Sequence, residues 1–317
     1  MSEIREDRTY AGPRIPLRFR DADGRPVEDG AVSGPKPRWL RVPLPGSEGY
    51  MRMRALLERE GLNTICVSGR CPNATECFTR GTATFMLLGH TCTRTCGYCD
   101  VVAGPPEAVD SDEPRRIADA ARGLGLKFVV VTSVTRDDLP DGGAGHFAAT
   151  IRAIKAEDMR VEVLTPDFFR RPEALRTVLD AGPDVFAHNI ETARRLYPIA
   201  RAGGSYDRAL ELLARARATP GKHRVKSGFM VGMGETDADI WEILEDLARV
   251  GCEIVTIGQY LRPSTRHMPV MRYVTPEQFA HVQERAQREL GFAMVVAGPL
   301  VRSSYLAENA FAGSLSK

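Results

Sequence analysis

The chain has 317 residues, 43% of them apolar and 26% charged, with a formal net charge of +2. That length allows one large domain or two small ones, and the charge is too small to argue for nucleic acid or a membrane surface as a partner. No uncharged run reaches the ~20 residues needed to cross a bilayer, the longest, Gly81 to Thr93, being about two thirds of that.

The opening MSEIREDRTYAGPR mixes acids with bases and lacks an apolar stretch, so neither a secretory signal nor a transit peptide is expected and the reading is cytoplasmic. Residues 1–47 are broken by Pro13, Pro16, Pro26, Pro35, Pro37, Pro43 and Pro45. They predict an extended arm, ordered where Trp39, Leu40 and Val42 can pack, with a disordered tail as the alternative for the first part. Residues 50–60 predict a short helix ending at Gly61, within a segment, 48–81, that carries the first cysteines.

From Thr82 onward short apolar runs alternate with amphipathic stretches. Strands are expected at 82–88, 127–132, 160–164, 184–189, 225–231 and 253–258. They are continuously apolar, as suits a parallel sheet buried on both faces. Helices are expected near 114–123, 145–157, 172–181, 205–217, 236–250 and 276–290. The fifth sets Ile240, Ile243, Leu244, Leu247 and Val250 on one stripe, and the last opens with a capping box, Thr275-Pro276-Glu277-Gln278. Six such units predict an α/β fold, a partial parallel (β/α)6 barrel over 82–292, with a C-terminal segment, 293–317, closing over it. A doubly wound open sheet is the alternative, weakened because no GxGxxG or Walker sequence follows any strand.

Six of the seven cysteines lie between Cys66 and Cys99, and Cys252 stands apart as a buried apolar residue. In a reducing compartment such crowding favours metal over disulfides. Cys92, Cys96 and Cys99 form a C-x3-C-x2-C run after the first strand, at the end where parallel barrels carry their active sites. Three thiolates on one loop hold three irons of a cubic cluster and leave the fourth open to chemistry. A structural zinc ion needs a fourth ligand, and the spacing of His90 does not match the usual patterns. Cys66, Cys71 and Cys77 form a second run of three, C-x4-C-x5-C. Six thiols exceed the needs of one cluster, so a second cluster is expected, its fourth ligand coming from elsewhere.

The C-x3-C-x2-C run, with Tyr98 just before its last cysteine, resembles the radical S-adenosylmethionine superfamily, in which the methionine moiety chelates the open iron. More specifically, CPNATECFTRGTATFMLLGHTCTRTCGYCDV resembles the lipoyl synthase family. The likeness runs on through VTSVTRDDLPDGGAGHF, LTPDF, HNIET, KSGFMVGMGET, TIGQYLRPS and RSSY, and so spans about residues 39–305. Gly97, Tyr98, Ala187 and Leu306 depart from the residues common there, and none is a presumed ligand.

The resemblance implies two [4Fe-4S] clusters and S-adenosylmethionine. Cys66, Cys71 and Cys77 would hold an auxiliary cluster that donates sulfur, and Cys92, Cys96 and Cys99 the one that cleaves S-adenosylmethionine to a 5′-deoxyadenosyl radical. The implied reaction inserts two sulfur atoms at C6 and C8 of an octanoyl chain on a carrier-domain lysine. Implied partners are that carrier (a 2-oxo acid dehydrogenase E2 domain or the glycine-cleavage H protein), an electron donor such as ferredoxin or flavodoxin, and an iron–sulfur carrier protein. Ser303 of RSSY would be the fourth auxiliary ligand, with Ser304 as the alternative. Oxygen holds such an iron less well than thiolate and releases it more easily. Arg302 would stabilise the anionic cluster or hold an acidic partner.

The strand ends supply the rest of the expected cofactor site. Thr132 and Ser133 would bond the methionine amino and carboxyl groups, Asn189 and Glu191 the ribose, and Lys226 the carboxylate or the cluster. Gly232 and Gly234 would let backbone approach adenine, and Gln259 and Leu261 would face adenine or substrate. Ordinary strand-end packing is the plain alternative for each. Asp137, Asp138 and Asp141 read alone as a metal or general-base cluster, but Asp-Asp before Leu-Pro and then Asp-Gly-Gly favour a turn; His146 reads as a cap or bond within that loop, with a catalytic role as the alternative. Two rival readings are another radical sulfur inserter, such as a biotin synthase or methylthiotransferase, and an electron carrier or zinc module. The first triplet and RSSY count against the former, and the barrel units against the latter.

Overall fold

The computed structural model describes Val32, residues 35–42 and residues 46–315; the rest of the expected N-terminal arm lies outside the described residues. Helix α1, Glu48–Arg59, starts at Ser47, whose hydroxyl accepts from the Tyr50 N–H, and it ends just before Gly61 (φ +61°). Two short helices follow, α2 (Ile65–Ser68) and α3 (Ala74–Thr79), and they carry the first cysteine triplet.

The large sheet then begins with β1, Thr84–Leu87. A two-stranded parallel pair, β2 (Thr91–Cys92) and β3 (Val102–Ala103), brackets the second triplet's loop. The remaining units are α4 (Glu113–Gly123), β4 (Phe128–Ser133), α5 (Ala144–Ala156), β5 (Arg160–Leu164), α6 (Pro172–Asp180) and β6 (Val185–Ala187). They continue through α7 (Tyr197–Ala200), α8 (Tyr206–Ala218), β7 (Arg224–Val231), α9 (Asp237–Arg249) and β8 (Ile254–Gln259). The chain closes with α10 (Pro276–Glu289), β9 (Met294–Gly298) and α11 (Ala307–Leu315).

The sheet has seven strands in the order β1-β4-β5-β6-β7-β8-β9, every pair parallel. All six expected strands form, and β9 makes a seventh, so the six-unit count falls short by one strand. The missed run, MVVAG, is only partly buried and leads into Gly-Pro, which reads as a turn. Strand order follows chain order without reversal, so the doubly wound alternative, which needs a switch point, does not apply. Among the described residues β1 and β9 end the sheet, which is open, and the outer edge of β1 is met only by an antiparallel bridge from Thr64 to Phe85 and the Met86 N–H bond to the Asn63 carbonyl. With same-handed crossovers this order sends every helix that connects two strands of the sheet to one face.

On that outer face lies the main core. Val129, Val131, Val163, Phe186 and Ile257 are fully buried there, with the expected α9 stripe of Ile240, Ile243, Leu244 and Leu247 in the same cluster. On the inner face a second cluster joins Phe128, Val130 and Val185 to Ala307 and Phe311 of α11. Phe311 sits 5.6 Å from the Phe128 ring, and the Arg160 guanidinium lies over it at 5.3 Å. Helix α11 thus fills the inner face toward the strand N-termini, leaving space only at the C-terminal ends. Among the described residues no helix is long and apolar enough to cross a membrane.

Candidate active site

That space is a cavity of about 620 Å³. Cys66 and Cys71 of the first triplet line it, as do Cys92, Cys96 and Cys99, together with the Arg302–Ser304 stretch of RSSY. Cys77 does not line the cavity; it stands on α3 with its thiol close enough to Cys71 to feel its charge.

Two side-chain ties bracket RSSY against the first triplet. The Asn73 amide donates to the Leu300 carbonyl (2.7 Å), and the Tyr305 hydroxyl donates to Glu76 (3.1 Å). Ser303 Oγ accepts from Asn189 Nδ2 at 3.2 Å. Among the described residues Arg302 donates only to the Val301 carbonyl, and its guanidinium faces Cys71 rather than a carboxylate. Burial lowers its pKa, and the charge of a Cys71 thiolate draws it back up.

Burial also raises the thiols. Cys66 is pushed up to about 12 by burial and by Cys71 and Cys77, and Cys77 to about 11 by burial, Cys71 and Glu76. Cys71 is raised by burial and eased by the Asn73 N–H and Arg302. In the second triplet burial raises Cys96 to about 11 against the pull of Arg201, and burial and Cys96 together raise Cys99 further. Buried thiols that repel one another stay protonated unless a cationic centre compensates them, and a metal cluster does so. Among the described residues no three His, Cys, Asp or Glu side chains converge as a single metal ion requires. A cubic cluster instead spreads its thiolates, one to each iron. Cys92 Sγ already accepts N–H groups from Arg94 (3.4 Å) and Thr135 (3.3 Å), the bonding a cluster thiolate takes. The residues fit the clusters.

The loop between β2 and β3 is strapped on several sides. Gly97 donates to the Ala200 carbonyl and accepts from the Met268 N–H, both at 2.9 Å. Buried Arg94 bonds Asp137 through two nitrogens (2.7 and 2.9 Å) and Asp167 through Nη2 (2.7 Å). Burial opposes ionisation of Asp167, yet the bond and charge of Arg94 hold its carboxyl well below the usual range. Arg201 donates to the Asn189 carbonyl (2.7 Å), the Tyr197 hydroxyl (3.0 Å) and His188 Nε2 (3.3 Å), while His188 Nδ1 donates to the Thr165 carbonyl. Burial and Arg201 hold His188 neutral, its pKa lowered to about 3.

Of the expected cofactor-binding residues, Thr132, Ser133, Asn189, Glu191 and Leu261 line the cavity. Among the described residues Ser133 Oγ, Asn189 Oδ1 and Thr165 Oγ1 are buried without a partner, so the wall presents polar atoms that an amine- or hydroxyl-bearing ligand would satisfy. Glu191 takes a positive φ (+68°) that a parallel bridge to Phe229 fixes. Burial raises its carboxyl, against the pull of Arg201, Asn189 and Tyr98.

Three others are not brought to the cavity. Lys226 is buried on the inner face and bonds both oxygens of Glu162 (2.8 and 2.9 Å). Gln259 is fully buried, with its amide spent on the Val231, Tyr260 and Arg272 carbonyls and the Val274 N–H. Gly232 (φ +111°) is close to that same Gln259, because a Cβ there would lie 2.2 Å from Nε2. Both serve the loop before α10.

Asp138 pairs with Arg136, and Asp141 accepts from the Gly143 and Gly145 N–H groups, as turn residues do. Asp137 instead clamps Arg94. His146 bonds Glu113 at 2.6 Å, and Cys252 is buried away from the cavity. Sequence reasoning missed Arg94, Asp167, His188 and Arg201. The first three lie within CTRTC, LTPDF and HNIET, where a charged or polar residue inside a motif was the available signal; Arg201 left none.

The family model described as Radical SAM superfamily matches residues 86–247. A lipoyl synthase of Caldanaerobacter subterraneus subsp. tengcongensis is 53% identical over 274 residues, 86% of this chain and 96% of that protein. A lipoyl synthase of Symbiobacterium thermophilum is 47% identical over 319 residues, 100% of this chain and 96% of that protein. Among solved structures, Streptococcus suis SuiB bound to S-adenosylmethionine is similar with a TM-score of 0.53 at 12% identity, over 71% of this chain and 54% of that one. HydG, a maturase of the [FeFe]-hydrogenase, gives 0.53 at 17% identity over 67% and 50%. Likeness at such identity is one of fold.

Proposed function

The chain belongs to the lipoyl synthase family of radical S-adenosylmethionine enzymes, and we propose that one cavity divides the work of that family between its two cysteine triplets. It is a lipoyl synthase that uses S-adenosylmethionine and [4Fe-4S] centres and acts on an octanoylated lipoyl carrier. The finer division is our reading. Cys92, Cys96 and Cys99 hold the cluster that meets S-adenosylmethionine; Cys66, Cys71, Cys77 and Ser303 hold the auxiliary cluster that provides sulfur for C6 and C8. The observation that carries it is the lining of one cavity by members of both triplets and by Ser303, far apart in the chain.

When bound, these groups supply the one-electron cleavage and the sulfur that side chains cannot, since alkyl C–H lies beyond general-base catalysis. The chain's own residues position and enclose. Ser133, Asn189 and Glu191 offer polar groups to the methionine and ribose ends, with Thr132 beside them donating to the Leu164 carbonyl (2.9 Å). Arg302, with no carboxylate partner among the described residues, offsets negative charge at the first triplet. The Asn189 amide holds the Ser303 hydroxyl in place, and Met86, Phe229 and Met230 keep water from an alkyl chain.

By the same reading, 48–81 is the auxiliary-cluster segment, 82–292 the partial barrel, and 293–317 the segment that adds β9 to its sheet and then closes over the cavity. The carrier is an E2 domain or an H protein, the electron donor a ferredoxin or flavodoxin, and an iron–sulfur carrier protein is a further partner. The cytoplasm suits six thiols that must stay reduced. Anaerobically reconstituted protein, given reductant, S-adenosylmethionine and an octanoyl-lysine peptide, tests the assignment by mass spectrometry. The peptide should gain one and then two sulfur atoms as 5′-deoxyadenosine appears. Cleavage with no sulfur gained would overturn the substrate assignment.

A further inference from the structure

An octanoyl-lysine enters the cavity only through its mouth, so on the functional reading above the carrier domain must rest on the surrounding surface. Residues 35–42 run along that mouth, with Lys36 and Val42 lining the cavity itself. A tight turn fixes the segment. Leu40 is 3% exposed and anchors it, the Leu40 N–H bonds the Pro37 carbonyl (3.1 Å), and the Arg41 N–H bonds that of Arg38 (3.2 Å). The Val32 N–H is tied to the Val270 carbonyl (2.8 Å) in the loop before α10.

The chemistry of this surface is one-sided. From Val32 to Gly46 the sequence holds Lys36, Arg38 and Arg41 and no acid. All three are exposed, and among the described residues none meets a carboxylate. Arg70 and Arg262 add two more cations to the lining, against Asp100, which Arg70 already engages at 2.7 Å. Beside the cations lie exposed apolar side chains, Trp39 at 40%, Val42 at 38% and Val67 at 36%. Exposed Trp and Arg together mark surfaces that take a protein partner, and unpaired charge of one sign selects a partner of the other.

We propose that residues 36–42, with Arg70 and Arg262, form the docking rim for the carrier domain, and that the carrier meets it with Asp and Glu side chains flanking its modified lysine. The rim holds the carrier while the cavity takes the acyl chain. Carrier recognition is therefore separable from recognition of octanoyl-lysine.

The test compares two substrates, an octanoylated carrier domain with acidic residues around its lysine and a short octanoyl-lysine peptide without them. Against wild type, the Arg38→Glu/Arg41→Glu variant should raise KM for the carrier at least tenfold and lower the carrier-to-peptide ratio of kcat/KM in proportion. Trp39→Ala should move that ratio the same way. Raising salt from about 50 to about 200 mM should weaken carrier binding to wild type and have little effect on the double variant. An unchanged KM for the carrier, or equal losses on both substrates, would overturn the proposal. Iron-replete wild type that converts neither substrate would remove the functional reading, and the rim with it.

Discussion

Lys226 and Glu162, each with 1% of its side chain exposed, meet across two strand spacings on the inner face of the sheet. Burying the pair is costly, but removing one partner leaves an uncompensated charge, which typically costs about 3–5 kcal/mol. Lys226→Met should lower stability by about that amount in denaturant melts of the anaerobic protein, while Lys226→Met/Glu162→Leu should recover much of it. A raised Kd for S-adenosylmethionine with stability unchanged would instead restore the ligand role expected from sequence. The difference in placement has a physical source: the apolar run marks the strand, but the partner of Lys226 lies 64 residues away and depth is not written in periodicity. The cysteines were legible because cluster chemistry depends on spacing along one loop. His188 carries a pH prediction. Its pKa falls from 6.5 to about 3 in the folded chain, so the neutral ring is favoured there. Its contribution is complete above about pH 6.5 and is lost as pH falls toward 3, because the unfolded chain then binds a proton that the folded chain does not. Urea midpoints at pH 7.5 and 5.5 should show the lower value at 5.5, with a slope from this group of up to about 1.4 kcal/mol per pH unit. A His188→Gln variant that kept the full slope would contradict this.

Helix caps and buried strands were legible because local chemistry decides them. Thr236 with Asp239 and Thr275 with Gln278 form reciprocal capping boxes, the second as read from sequence. Continuous apolar runs became strands, whereas β9, a half-buried edge, gave a weaker signal. Helix α11 was not foreseen, because AENAFAGSL is short and only the inner face of the sheet gives Phe311 a place to pack. The loop after β7 shows how an element is held from a distance. Gly232 takes a φ of +111°, and a Cβ there would meet Gln259 Nε2 at 2.2 Å and the Arg272 carbonyl at 2.7 Å. Gly232→Ala should therefore cost about 2 kcal/mol or more, combining backbone strain with displacement of the Gln259 clamp. A melt within a few tenths of a kcal/mol of wild type would show that the loop adapts freely.

At the scale of the molecule, an open sheet in chain order leaves one end of its inner face free, and distant segments converge there. Helix α11 fills the lower half, and the stretch just before it, Arg302–Ser304, reaches the cavity beside residues of both triplets. No sequence pattern announces that Asn73 and Glu76 bracket RSSY from the far end of the chain. That convergence is the central claim, and its most direct measurement follows two products at once in anaerobic protein lacking one triplet or the other. With Cys66, Cys71 and Cys77 changed to Ala, 5′-deoxyadenosine should still form while the octanoyl substrate gains no sulfur; with Cys92, Cys96 and Cys99 changed to Ala, neither product should appear. Sulfur insertion that survives loss of the first triplet would contradict the division of work between the two.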